Sequence, residues 1–448
     1  MAQRVPFWDN ELKDFYNIFW IPDINKKNQD TTFITKLLEE DKNTTADYKY
    51  CRKIRIYPND IQTLVFNKCI GTSRYFYNKT VAYLNENGIK GNLYRSILRP
   101  KIMKNDRDIL EDDLEYWQSE VPYDTRQEAI NDAITAFKSA CTNIRNKNIT
   151  HFEIKYRSKK KSCRESFRVE KRALNIEEMT IMPQAMKKQH KNIKSNKTFK
   201  NKLRMRKRDV AKFKEDGTLD GNFMIVKEKP GKWYICLPRT KQNCVSSNPS
   251  YQSVFHDPGV RTFQTWYSPE GDCGKINVPK KLYKLAERHD GLQSVLSKCV
   301  KPKTKGHIKR RMALLRHSMK NIVNDLHWQT CSFLCNNFKV IVQPSFEVSK
   351  MVIGSPLGST ITRKMLTLSH GLFRERLIYY GACRGNTIKI VEEDYTTRTC
   401  GSCGALKEMN GLKVYDCSHC CLHIDRDCNG ARNICLKTIT PIIKSILS

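Results

Sequence analysis

The chain has 448 residues and carries 80 Lys and Arg against 46 Asp and Glu, a formal charge of +34. With 39% hydrophobic and 10% aromatic residues it can bury real cores, which excludes a wholly disordered chain, and its length predicts two to four domains. No apolar run approaches the ~18 residues of a membrane span, so no membrane partner is expected. The opening residues mix acids with aromatics and lack a secretory-leader layout, so the protein is not expected to be secreted. A positive excess this large repels itself unless a polyanion neutralises it, and nucleic acid is the expected partner.

Residues 1–50 read as an accessory arm. Arg52 to Tyr57 alternates as a strand stopped by Pro58. Ile61 to Leu84 and Thr125 to Ile144 read as helices, the second because Ala129, Ile130, Ala133, Ala136, Phe137 and Ala140 recur at helical spacing. Phe152 to Tyr156 and Phe167 to Val169 read as strands flanking the basic cluster Lys159, Lys160 and Lys161. Between 187 and 208 lie eleven Lys or Arg and no acid, Arg204, Arg206 and Lys207 among them; such a block is either a solvated face or a surface that tracks phosphates. A hairpin over 222–237 follows.

From Ser253 the pattern changes to strands alternating with amphipathic helices, which predicts an α/β layer architecture. Val254 to Asp257 runs into a Pro258-Gly259 turn and a second strand, Arg261 to Tyr267. Ile308, Met312, Leu315, Met319, Ile322 and Leu326 step by four and three, an amphipathic helix. Lys339 to Val342 reads as a buried strand, Arg363 to Tyr380 as a helix and Thr387 to Val391 as another strand.

Eighteen cysteines in a chain without a leader predict a reducing compartment, and fourteen of them occur as scattered small hydrophobes. The other four form two knuckles, Cys400-Gly-Ser-Cys403 and Cys417-Ser-His-Cys420. Each knuckle turns two thiolates toward one point, and together they close a tetrahedron on one structural Zn2+. Asp257 at a strand end would be an ordinary turn residue by itself. Asp425 and Asp427, where the last helix starts, would likewise be ordinary caps. Together, a strand-end acid and a helix-start acid are also how two Mg2+ ions are held ~3.5–4 Å apart for phosphodiester cleavage.

In this order, with His256-Asp-Pro-Gly-Val-Arg-Thr-Phe263, Pro344-Ser-Phe-Glu-Val-Ser-Lys-Met351, Glu393-Asp-Tyr-Thr-Thr-Arg-Thr-Cys400 and Asp425-Arg-Asp-Cys-Asn-Gly-Ala-Arg-Asn433, the chain resembles TnpB, the transposon-encoded RNA-guided nucleases, and most of all their eukaryotic and giant-virus Fanzor branch. The resemblance is specific over about 250–435 and weaker at Arg55 to Pro58, Arg74 to Asn78 and Pro122 to Arg126.

It implies a multidomain α/β and β fold: a wedge β-barrel from 51–60 and 151–245, a helical recognition lobe over 61–150, an RNase H-like RuvC nuclease from 250–395 and 425–448, and an inserted zinc ribbon at 396–424. It also implies an RNA-guided DNA endonuclease with a guide RNA, a target double-stranded DNA read beside a short adjacent motif, and one protein chain per RNA. Cleavage would use two catalytic Mg2+ ions held by Asp257, Glu393 and Asp427. Where TnpB proteins carry a Glu after the strand ending at Val342, this chain has Gln343. The resemblance to Fanzor-like members, whose glutamate is displaced to the strand before the zinc ribbon, implies Glu393 as the second carboxylate, with Glu392 and Glu347 as alternatives. A guide-binding protein that has lost cleavage, or a guide-free zinc-ribbon protein, are the competing functions. The branch implies the nucleus or a viral factory of a eukaryotic host, otherwise the cytoplasm.

Overall fold

The computed structural model describes residues 2–4, 48–87, 95–105, 108–109, 116–159, 164–193, 200–214, 219–229, 231–241, 251–270, 272–352, 358–392, 398–408 and 412–447. The chain forms two compact units, 49–240 and 1–48 with 241–448. Among the described residues no helix is long and apolar enough to cross a membrane.

In the unit 49–240, strand β1 (Tyr48–Ile56) leads into helix α1 (Asp60–Asn87). A reciprocal cap starts α1: Asn59 Oδ1 accepts the Gln62 N–H at 2.8 Å and Gln62 Oε1 accepts the Asn59 N–H at 3.1 Å. Helices α2 (Arg95–Ile102) and α3 (Tyr123–Arg145) pack beside α1 around Phe76, Val81, Ile130 and Phe137. Strands β2 (Arg164–Val169), β3 (Phe223–Glu228) and β4 (Lys232–Lys241) complete a four-stranded sheet in the order β1-β4-β3-β2, while α4 (Pro183–Asn192) and α5 (Lys207–Lys214) lie in the β2–β3 connection. One sheet face buries Ile54, Phe167, Ile225 and Ile235 under α1, with Phe66 against Phe167 and Trp233 at ring separations of 5.8 and 5.5 Å.

Among the described residues no closed barrel is found: β1 and β2 are opposite edges of an open four-stranded sheet, whose apolar face packs on α1 and on Ile181, Met186 and Phe213 of the β2–β3 connection. Nor is 152–156 a strand. Phe152 and Ile154 alternate as a strand would, but their side chains pack onto the helical cluster and the segment joins no ladder.

The second unit is built on a mixed sheet. Its strands are β5 (Tyr251–Pro258), β6 (Thr262–Tyr267), β7 (Cys273–Asn277), β8 (Phe338–Pro344) and β9 (Thr387–Val391), ordered β7-β6-β5-β8-β9. The first three are antiparallel neighbours, and β8 lies parallel to both β5 and β9. Ala2–Arg4 adds a short antiparallel strand outside β7. Helices α6 (Lys280–Lys298) and α7 (Pro302–Asn337) follow β7, with Pro302 opening α7 where no N–H is needed. The helix expected over 363–380 is two helices, α8 (Ser359–Leu368) and α9 (His370–Arg384), because Ser369 takes a left-handed φ of 52° between them. Gly385, at φ 77°, ends α9.

The short hairpin β10 (Val414–Asp416) and β11 (His423–Asp425) feeds α10 (Arg426–Leu447), which packs on β5 through Ile434, Cys435 and Ile439 against Phe255, Val340 and Val342. The opposite face buries Val254, Trp266, Ile341, Leu334 and Phe373 beneath α7 and α9.

Candidate active site

The register of the mixed sheet decides which side chains meet. Phe255 pairs with Val342, and Asp257 pairs with Thr265, which pairs with Lys275. Side chains alternate along a strand and directly paired residues share a face. Phe255, Asp257, Thr265, Lys275 and Val342 therefore lie on the α10 face. His256 and Gln343 lie on the other. From Asp257 to Lys275 is two strand spacings, ~10 Å.

Lys275 holds the last helix in place: its Nζ is 2.5 Å from Asp425 Oδ2. The other oxygen of Asp425 accepts the N–H groups of Asp427 at 3.0 Å and Cys428 at 3.2 Å. Asp425 is thus the cap of α10, anchored by an ion pair to the strand row that contains Asp257. Asp427 sits in the first turn, half-buried, and its Oδ1 accepts from the Arg426 guanidinium at 2.8 Å. Asp257 is half-buried at the end of β5. A disulfide joins Cys273 of β7 to Cys428, one residue beyond Asp427, with Cα atoms 6.6 Å apart. Sequence reasoning counted both among the unpaired cysteines; only the register, which puts Cys273 under the start of α10, reveals the pair.

Position 343 has a different use. Gln343 is buried on the far face, and its Oε1 lies 3.0 Å from His256 Nδ1. Burial brings the His256 imidazole down to about 4, with the Gln343 hydrogen bond opposing, so the ring is neutral at pH 7. Two further buried histidines, His327 and His370, stack on Phe263 at 5.3 and 5.1 Å and are likewise lowered to about 4 by burial. Of the alternative carboxylates, Glu347 is exposed beyond β8, and Glu392 is exposed one residue after Val391, which pairs with Pro344. Glu393 lies outside the described residues.

The four knuckle cysteines converge, with all sulfur atoms within 4.8 Å of one another. Cys400 and Cys420 sulfurs are 3.6 Å apart, as are those of Cys403 and Cys417. Zn–S bonds of ~2.3 Å give a tetrahedral edge of about 3.8 Å, so the donor set fits Zn2+. Burial alone would push the Cys417 thiol up, but the Cys420 and His419 amides and the neighbouring thiols bring it to about 6.

The knuckle is also tied to α10, which sequence reasoning missed. Asn429 Oδ1 accepts the Gly401 N–H at 3.0 Å, and both Asn429 and Asn433 donate to the Thr399 carbonyl, at 2.8 and 2.7 Å. A Cβ on Gly401 would lie 2.7 Å from Asn429 Oδ1, so this glycine serves close approach, whereas Gly404 serves a left-handed turn at φ 75°. The signal was present as two asparagines spaced i, i+4 on one helix face.

In the unit 49–240, Lys159, Arg204, Arg206 and Lys207 are exposed, while Lys160 and Lys161 lie outside the described residues. The sequence did not reveal an open cleft of about 750 Å³ lined by Arg74, Arg157, Arg164, Arg168 and Tyr156. Acids neutralise part of it: Arg74 pairs with Glu165 at 2.7 Å, and Asp132 bridges Arg157 and Arg168 at 3.2 and 3.0 Å.

Comparison with known proteins follows this division of the chain. A Cas12f1-like TNB domain model matches residues 370–434, which contain the four cysteines and both asparagines. A helix-turn-helix domain model matches 51–88, where this structure has one strand and one continuous helix. A putative transposase of Paramecium bursaria Chlorella virus 1 is 26% identical over 408 residues, 87% of each chain. A TnpB-like protein of Acanthamoeba polyphaga mimivirus is 26% identical over 417 residues, covering 88% of this chain and 74% of the relative. A putative RNA-guided DNA endonuclease of Escherichia coli is 25% identical over 401 residues, 85% of this chain and 90% of the relative. Among solved structures, a Cas12f1 complex with guide RNA and target DNA aligns over 87% of this chain and 98% of its own at 12% identity, with a TM-score of 0.47.

Proposed function

The chain belongs to the TnpB/Cas12f-like family, and from that premise we propose that it is an RNA-guided DNA endonuclease whose cleavage centre lies on the α10 face of the mixed sheet. One observation carries the proposal: the Asp257–Thr265–Lys275 row holds Asp425, which caps the turn bearing Asp427. Two carboxylates far apart in sequence are thereby organised on one face at the carboxyl end of β5. There β5 has an antiparallel neighbour on one side and a parallel one on the other. The strand order, three antiparallel strands followed by two parallel ones, supports an RNase H-like reading of 250–395 with 425–448, interrupted by a zinc ribbon at 396–424.

Asp257 and Asp427 supply hard oxygen donors that suit Mg2+. The resemblance assigns the third carboxylate to Glu393, which follows the strand whose Val391 pairs with Pro344 on the Asp257 face. When bound, two Mg2+ ions supply an activated water and stabilise the departing 3′ oxygen. The protein's part is to fix the carboxylates through Lys275 and the Asp425 cap, and to hold the DNA strand against them. In the unit 49–240, the exposed Lys159, Arg204, Arg206 and Lys207, with Lys160 and Lys161, grip nucleic-acid backbone; base pairing with the guide reads sequence. We propose the nucleus or a viral factory of a eukaryotic host, otherwise the cytoplasm, as the site of action.

A second reading, a guide-bound protein that no longer cuts, is favoured by Gln343, which provides no carboxylate and points away from Asp257. The test is to sequence the RNA that copurifies with the chain, replace its guide portion, and offer matching duplex DNA with and without Mg2+. Cutting that follows the new guide and needs Mg2+ supports the endonuclease. Guide-dependent binding without a product establishes the second reading, and absence of a discrete RNA refutes both.

A further inference from the structure

The turn that carries Asp427 also carries a cation, Arg426. This is the first residue of α10, and its N–H donates to the Lys413 carbonyl at 2.9 Å, which fixes its backbone against the stretch between the two cysteine knuckles. Its guanidinium turns onto the next residue: Nε and Nη2 both donate to Asp427 Oδ1, at 3.1 and 2.8 Å. Successive residues of a helix do not face one another, and a cation in the first turn opposes the helix dipole. Helix stability therefore does not account for this pairing. Nor does Asp425 compete for the guanidinium, because its two oxygens are taken by Lys275 and by the N–H groups of Asp427 and Cys428.

This geometry leaves two groups open. Among the described residues nothing bonds Asp427 Oδ2, and nothing bonds the third guanidinium nitrogen, Arg426 Nη1. Each of the two side chains keeps 27% of its surface exposed. One carboxylate oxygen is thus free to take a hard cation, and a charged amino group with unused donors stands beside it.

Resting on the endonuclease reading above, we propose that Arg426 is a further catalytic residue of that centre: its Nε–Nη2 edge holds Asp427 so that Oδ2 faces the Mg2+ ion, and its Nη1 group donates to a non-bridging oxygen of the scissile phosphate. A fixed cation then meets the charge that builds on the phosphate oxygens as water attacks. Arg426 moves no proton, because a guanidinium stays charged. The same charge acts in the opposite sense on the resting site, where a guanidinium beside the carboxylate repels a divalent ion. Arg426 therefore weakens metal binding while it speeds the cut. A residue that only scaffolded the turn would strengthen both.

The experiment compares wild type, Arg426→Gln and Arg426→Lys, each as the full zinc-loaded chain. Calorimetry reads Mn2+ binding to the RNA-free chain, with Asp427→Asn marking the heat that belongs to this site. Single-turnover cleavage at saturating Mg2+ is read on the guide-loaded chain. Arg426→Gln is expected to bind Mn2+ at least ~3-fold tighter and to cut ~10²-fold slower, with unchanged melting temperature and DNA binding. Arg426→Lys should bind Mn2+ as wild type does, because the charge is kept. It should still cut at least ~10-fold slower, because one ammonium cannot fork between a carboxylate and a phosphate. Mn2+ binding by Arg426→Gln no tighter than wild type, undiminished cutting by either variant, or a lowered melting temperature in both would each overturn the proposal and leave the endonuclease reading intact. A wild type that does not cut guide-matched DNA removes that reading, and the proposal with it.

Discussion

Removing the Asn429 carboxamide tests whether the cysteine knuckles and the start of α10 act as one piece. In Asn429→Ala the Gly401 N–H, buried and bonded at 3.0 Å, loses its acceptor, while the Thr399 carbonyl keeps Asn433. Orphaning a buried donor costs about 1–3 kcal/mol. The void left by a side chain with no exposure adds ~1 kcal/mol. A loss of about 2 kcal/mol or more in ribbon docking corresponds to roughly thirtyfold easier undocking. Zinc transfer to a colorimetric chelator, followed beside thermal melting, reads it. Asn429→Ala should release zinc faster by about that factor and melt lower. Asn433→Ala, which removes one of two donors from Thr399, should cost only ~1 kcal/mol. Wild-type zinc release by Asn429→Ala, or a larger effect from Asn433→Ala, would refute the argument.

Acid should destabilise the 241–448 unit through its buried histidines. His256, His327 and His370 fall from 6.5 to about 4 on folding, so the unfolded chain binds more protons below pH 6.5; their stabilising contribution is complete above that pH and declines toward pH 4. Each would lose ~2 kcal/mol by pH 5, and a melting temperature that stays flat between pH 6.5 and 5 contradicts this. Stripping zinc with a strong chelator should unfold the knuckles and drag the first turn of α10 with them, abolishing DNA cleavage. Cleavage by zinc-free protein would separate the two. Lys275→Met removes the ion pair to Asp425 at 2.5 Å while keeping length. It should lower cleavage at least ~10-fold with guide RNA still bound, and unchanged cutting would show that Lys275 does not position Asp427.

What the sequence made legible was local. The knuckles carry their own spacing, α7 its apolar stripe, and the β3–β4 hairpin its turn residues, and each appears where expected. Features that depend on pairing were not legible. Gln343 could be recognised only as a missing carboxylate; the register shows that its side chain is on the wrong face for Asp257 and is bonded to His256. Phe152 and Ile154 have strand periodicity, yet a helical surface takes them up before any ladder does. Ser369 breaks a helix although the nearest glycine, Gly371, already lies inside the next one, where His370 stacks on Phe263. Barrel closure of the wedge strands was not legible for a related reason: apolar strands reveal that one face is buried, not what buries it.

An endonuclease of this kind requires Asp257 and Asp427 to serve one centre. The most direct measurement is programmed cleavage of duplex DNA in Mg2+ by wild type, Asp257→Ala, Asp427→Ala and Glu393→Ala, with guide-dependent DNA binding measured on the same samples. Wild type should cut, and all three variants should bind normally with cutting reduced by at least ~10³. Persistent cutting in Asp257→Ala or Asp427→Ala would place the chemistry elsewhere.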